Sequence, residues 1–190
     1  ARATSCRTTC DGACTSLAFT ADSRQLVMLD CQGKISWWDT GSGQLVAARA
    51  LTDQAAIRTA LSADGRLAAL VQADGTIHCW DLANVTKLWQ RDTAMLELYQ
   101  AFPIAFEVSP DGRLLVTAHW TNGRYAIQCH DTGSGACCTA WPQHQSDFKG
   151  LFVASPAFVY TWDPNGVVRA WNVVGGSDLC RFSWVPEPGR

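Results

Sequence analysis

Residues 62–81 read Ser62-Ala63-Asp64-Gly65-Arg66-Leu67-Ala68-Ala69-Leu70-Val71-Gln72-Ala73-Asp74-Gly75-Thr76-Ile77-His78-Cys79-Trp80-Asp81. The stretch opens on a turn signal, Ala63-Asp64-Gly65, in which Asp and Gly supply local hydrogen bonding and a left-handed backbone. Leu67 to Val71 then form a continuous apolar run bounded by turns, the signature of a strand covered on both faces. Asp74-Gly75 reverses the chain again. A further strand leads into Trp80-Asp81. Two strands joined by a tight turn read as an antiparallel hairpin.

Working outward, the same order recurs three more times. The first copy begins at Leu17, the second at Thr59, the third at Phe106 and the fourth at Gly150. Its turn signals are Ala21-Asp22-Ser23, Ala63-Asp64-Gly65 and Pro110-Asp111-Gly112. A Gly turn follows at Gly33, Gly75, Gly123 and Gly166. Third strands end on Trp38-Asp39, Trp80-Asp81, His130-Asp131 and Trp171-Asn172. These anchors are separated by 42, 50 and 41 residues. That is the period of a four-stranded unit, with one insertion. The repeats run over about 14–50, 51–93, 101–142 and 148–185, with a flank at 1–13, read as an outer strand of a preceding or closing unit, and a tail at 186–190.

The pattern S-P-D-G-R-L … D-G-T-I-x-x-W-D resembles the WD-repeat family of β-propellers over about residues 14–185, most closely in Ser62–Leu67 and Asp74–Asp81. The resemblance implies an all-β fold, a WD40-like β-propeller or partial propeller of four four-stranded antiparallel blades stacked around an axis. Trp38, Asp39, Trp80, Asp81, Asp131, Trp171, Asp64, Asp111 and Asp74 are then its structural anchors. The family's Gly-His dipeptide is absent from every repeat. Only Asp74 fills the family's second turn aspartate, with Gln32, Asn122 and Asn165 elsewhere, so the resemblance implies blades without the buried polar network. Repeat 4 departs further, with Ser155-Pro156-Ala157 at its first turn. Family rings most often have seven or eight blades. A portion of a longer propeller, two half-rings and a four-bladed ring therefore compete. The start at Ala1 without Met favours the portion, whose open edges expose it to self-association.

Asp39-Thr40-Gly41-Ser42-Gly43 recurs as Asp131-Thr132-Gly133-Ser134-Gly135. Paired Asp-Thr-Gly motifs also mark aspartic proteases, whose two carboxylates share a proton. Here both copies occupy one repeat slot, the turn between third and fourth strands, and repeat 2 fills it with Asp81-Leu82-Ala83-Asn84. The reading is scaffold, with no catalytic residues.

Other chemistry is sparse. The histidines have no metal-ligand spacing, and no nucleophile elbow or phosphate loop is present. No metal and no cofactor is expected. The net charge of −2 carries no basic excess for nucleic acid, and no apolar run approaches the roughly 20 residues of a membrane span. Nine cysteines lack C-x-x-C pairs and read as reduced packing residues of a cytoplasmic chain, with a metal or disulfide role left open for Cys6, Cys10 and Cys14.

Insertions are read at Thr93–Ala101, as loop with helical tendency, at His119–Tyr125, as a long turn, and at Pro142–Lys149, as a linker. The resemblance implies that loops between second and third strands, and between repeats, open on one partner-binding face. Trp120, Arg124, Tyr125, Trp162 and His119 are its candidates, with Trp120 and Trp162 alternatively folded onto blade edges. The expected function is a non-catalytic protein–protein interaction scaffold or sensor, for other proteins or fused domains of the same parent chain. The alternative is an enzyme or ligand-binding propeller with an axial pocket, for which the sequence offers mainly Asp30, Asp74 and Asp163.

Overall fold

A computed structural model describes residues 13–92, 105–121, 124–144, 149–155, 157–173 and 177–183, without the side chains of 120–124, 140–144 and 177–183. The flank at 1–12 and the insertion at 93–101 lie outside the described residues. Two compact units divide the chain, Ala1–Ala94 and Met95–Arg190.

In the first unit, β1 (Cys14–Phe19), β2 (Gln25–Asp30), β3 (Lys34–Asp39) and β4 (Leu45–Ala50) form one antiparallel sheet in chain order. β5 (Ala56–Leu61), β6 (Leu67–Gln72), β7 (Thr76–Asp81) and β8 (Thr86–Asp92) form a second. β6 is the run whose continuous apolar character implied cover on both faces, and Ala68 through Gln72 are all buried. β8, the edge strand, is mostly exposed.

One sheet covers the next. β1 packs against β5, where the Ser16 and Thr59 hydroxyls meet at 2.8 Å. Val27, Leu29 and Ile35 share one buried cluster with Ala56, Ala68 and Leu70. Burying a side chain such as Leu70, fully inaccessible here, stabilises by about 1.5–3 kcal/mol.

The second unit repeats the scheme. β9 (Ala105–Val108), β10 (Leu114–Thr121), β11 (Arg124–Asp131) and β12 (Cys137–His144) form one sheet, and β13 (Gly150–Ser155), β14 (Phe158–Trp162), β15 (Val167–Asn172) and β16 (Ser177–Ser183) the other. Val116, Ile127 and Cys129 pack with Leu151, Val153, Val159 and Trp171.

Two insertions are shorter than expected. His119, Trp120, Thr121, Arg124 and Tyr125 are strand residues, because β10 and β11 pair in unbroken register out to Thr121 opposite Arg124. β-Branched and aromatic residues favour that extension. Likewise Pro142, Gln143 and His144 belong to β12, with His144 opposite Tyr125.

Turn chemistry explains the meanders. In three repeats a Ser or Thr hydroxyl donates to the aspartate two residues on, at 2.6–2.7 Å for Thr20–Asp22, Ser62–Asp64 and Ser109–Asp111. That aspartate accepts the N–H of the next arginine. Gly65 and Gly112 close these turns at φ of 67° and 73°, and Ser23 does the same at 57°.

Candidate functional site

The duplicated aspartates are built as turn acceptors. Asp39 Oδ1 accepts both the backbone N–H and the hydroxyl of Ser42 at 2.7 Å. Asp131 accepts the same pair from Ser134 at 2.8 and 2.7 Å. The Ser42 and Ser134 hydroxyls, then their N–H groups, hold both carboxyls below the usual carboxylate range. A proton-sharing pair needs the opposite, one carboxyl pushed well up by its neighbour. The two aspartates also lie in different compact units. Thr40 and Thr132 tie the turn back to the first hairpin through N–H bonds of 2.9 Å to the carbonyls of Arg24 and Arg113.

The three aspartates considered for a pocket are turn acceptors as well. Asp30 takes the N–H groups of Gln32 and Lys34 at 2.9 Å, and Asp163 those of Asn165 and Val167 at 2.9 and 3.0 Å. Both are buried, so Asp30 and Asp163 supply in repeats 1 and 4 the turn carboxylate that repeat 2 draws from Asp74. The substitution sits two residues earlier in the turn, which is why matching position by position misses it.

An open hollow of about 610 Å³ lies in the first unit beside the segment 50–54, lined also by Gln72, Asp74, Thr76, His78 and Gln90. Burial, and then Lys87, hold His78 below the usual imidazole range, so it is neutral at pH 7. Among the described residues no group of three His, Cys, Asp or Glu side chains is placed to hold a metal. Six described thiols, at Cys14, Cys31, Cys79, Cys129, Cys137 and Cys138, are present; burial pushes Cys129 up to about 12, which makes it packing and not a nucleophile.

The five partner-face candidates separate. His119 is buried at 3 % exposure with Nε2 at 2.8 Å from the Thr117 hydroxyl, so it lies inside a sheet and not on a loop. Tyr125 is half-buried against the second unit's core. Trp162 is 39 % exposed, and its ring covers Gly150 on the paired strand so closely that a Cβ there would sit 2.4 Å away. The side chains of Trp120 and Arg124 lie outside the described residues. Sequence reading missed the exposed apolar residues Leu17, Phe19, Leu45, Val46, Phe152 and Phe158. For Leu17, Phe19 and Phe152 the signal was alternation, Phe152 being exposed between buried Leu151 and Val153, whereas Leu45 and Val46 are adjacent and both exposed.

No protein-family profile and no curated protein matches the sequence. Solved structures do match. The WD40 repeats of RRP9 superpose with a TM-score of 0.66 at 16% identity over 90% of this chain and 52% of that one. U3-55K gives 0.67 at 16% identity, over 93% and 53%. The fold is WD40-like. This chain thus spans about half the length of the WD40 structures it matches.

The family's buried polar network is not assembled in repeat 2, where the buried Trp80 indole N–H has no hydrogen-bond partner, but single indole bonds occur in other repeats. Repeat 4 retains a buried polar pair, with the Trp171 indole N–H donating to the Thr161 hydroxyl at 2.9 Å. In repeat 1 the Trp38 indole donates instead to Ser36 on its own strand, at 3.0 Å. Apolar packing is therefore supplemented by indole–hydroxyl bonds in these WD40-type sheets, without any Gly-His dipeptide.

Proposed function

We propose that this chain is a non-catalytic protein–protein interaction module, whose WD40-type sheets present surface residues to other proteins or to fused domains of its parent. The observation that carries this is the surface apolar set on the strands. Leu17 and Phe19 on β1, Leu45 and Val46 on β4 and, in the second unit, Phe152 and Trp162 on the paired strands β13 and β14 are 39–59% exposed, and apolar side chains grouped on strands in this way mark interaction surfaces. Aromatic anchors of this kind dominate interface energetics. The hairpin bearing Trp120, Arg124 and Tyr125 extends the candidate surface of the second unit. Neither a nucleic-acid nor a membrane partner is part of the proposal, and the setting proposed is cytoplasmic.

The test is affinity capture with the intact chain, comparing wild type with Phe152→Glu and Trp162→Glu. Proteins retained by wild type and lost from folded variants support the proposal. Identical recovery by all three contradicts it. A second reading, binding of a small polar ligand, rests on the hollow beside Asp74 and His78. It predicts a ligand-induced rise in Tm that His78→Ala abolishes.

A further inference from the structure

Two open sheet faces repeat, position for position, the faces that stack inside the two units. The ladders fix the equivalence. Gln25, Leu67, Leu114 and Phe158 stand opposite Asp39, Asp81, Asp131 and Asn172, so they hold one slot in the four sheets. Counting on along each second strand, Tyr160 and Trp162 of β14 occupy the places of Val27 and Leu29 in β2 and of Val116 and Ala118 in β10. In β2 that face shares a buried cluster with Ala68 and Leu70 of the following sheet. In β10 it shares one with Leu151 and Val153 of the following sheet. In β14 the same face stays open. Trp162 is 39% and Phe158 37% exposed, and Phe152, which pairs with Tyr160, is 56% exposed.

The first sheet shows the opposite face. Leu17 stands opposite Met28 and Phe19 opposite Leu26. Thr59 and Leu61 fill those slots in β5, and Leu151 and Val153 fill them in β13. Those are the residues with which a sheet covers the one before it. The Thr59 hydroxyl meets Ser16 of β1 at 2.8 Å and Leu61 packs on the first unit's cluster, while Leu151 and Val153 lie in that of the second. Leu17 and Phe19 present the same covering face uncovered, at 59% and 54% exposure. An apolar face alone names no partner, but here each open face has its counterpart on the same chain. At the sheet junction inside each unit, a covering face of the β1 kind lies on a receiving face of the β14 kind. We propose, resting on the interaction reading above, that the occupant is a second copy of this chain. Leu17 and Phe19 of one copy pack on Phe152, Tyr160 and Trp162 of the other, head to tail. Such contacts either close into a ring or run on as a filament. Two copies together span about the length of one matched WD40 structure, which favours closure as a dimer.

The experiment is sedimentation velocity on the intact chain over a dilution series. Twice the chain mass is expected, dissociating on dilution. Phe19→Asp and Phe152→Asp, each at an exposed side chain, should keep the wild-type far-ultraviolet spectrum and raise the dissociation constant about tenfold or more. Leu17→Lys replaces Phe19→Asp if that variant does not fold. An equimolar mixture of the two variants should regain a weaker dimer through one intact contact, because each supplies the face that the other lacks. Longer assemblies that are lost in both variants and reduced to a dimer in the mixture would also support the proposal, as head-to-tail contact without closure. A monomer at every concentration, a dimer that either folded variant leaves intact, or no dimer in the mixture at the highest concentration would each overturn it. A monomeric wild type whose capture of other proteins still depends on Phe152 and Trp162 would overturn the self-association and leave the interaction reading in place.

Discussion

Ser23 holds φ at 57° in the turn where Gly65 and Gly112 hold 67° and 73°. A side chain in the left-handed region costs about 1–2 kcal/mol, partly offset by the greater unfolded freedom of glycine. Ser23→Gly should therefore raise the urea midpoint slightly, by under about 1 kcal/mol in stability. Gly65→Ala runs the other way. Its Cβ would sit 2.9 Å from Val27 Cγ2 in the core as well as in a strained conformation, so a loss of about 1–3 kcal/mol is expected from the same measurement. Glu107 supplies a pH test. It accepts the Val153 N–H at 3.2 Å from the neighbouring sheet, and burial holds its carboxyl above the usual value of 4.5. A raised folded value means the folded chain binds the proton more tightly. The charge is therefore no burden below the unfolded value and becomes one as pH rises through the folded value. Glu107→Gln keeps the acceptor and removes the charge. Its Tm should exceed wild type at pH 7 and match it at about pH 3.5; an equal Tm at both would refute the assignment.

At the scale of elements, the inner strands were the most readable feature. Leu67–Val71 is apolar throughout because β6 has a strand on each side and a packed face, and that environment admits no polar alternation. Hairpin length was less readable. Asn122-Gly123 looked like the centre of a long turn, yet the residues around it pair as strand, since turn signals mark a reversal without fixing how far the ladder extends towards it. The indole–hydroxyl pair of Trp171 and Thr161 was invisible to motif matching, because its partners are ten residues apart on adjacent strands and only the register brings them together. Thr161→Val keeps the shape but leaves the indole N–H without this acceptor in a buried site. It should destabilise by about 1–3 kcal/mol in denaturant unfolding, whereas Thr161→Ser should stay near wild type.

For the whole molecule, the recurring order of strands and turns was legible as a WD-like repeat because each sheet repeats the same local chemistry. The functional surface was not. A binding face depends on which side chains remain uncovered after sheets pack, and residues such as Phe152 and Val46 resemble core residues in sequence. The same logic governs Asp39 and Asp131. Their motif suggests a catalytic pair, while their place in two repeats of one scaffold makes each a local turn acceptor. Carbon-detected NMR titration of the two carboxyls in the intact chain tests this most directly. Both should titrate below 3.8, as single independent transitions, and Asp39→Ala should leave the Asp131 curve unmoved. One carboxyl titrating well above 3.8, or a shift of Asp131 when Asp39 is removed, would contradict the repeat-scaffold account and restore the proton-sharing pair.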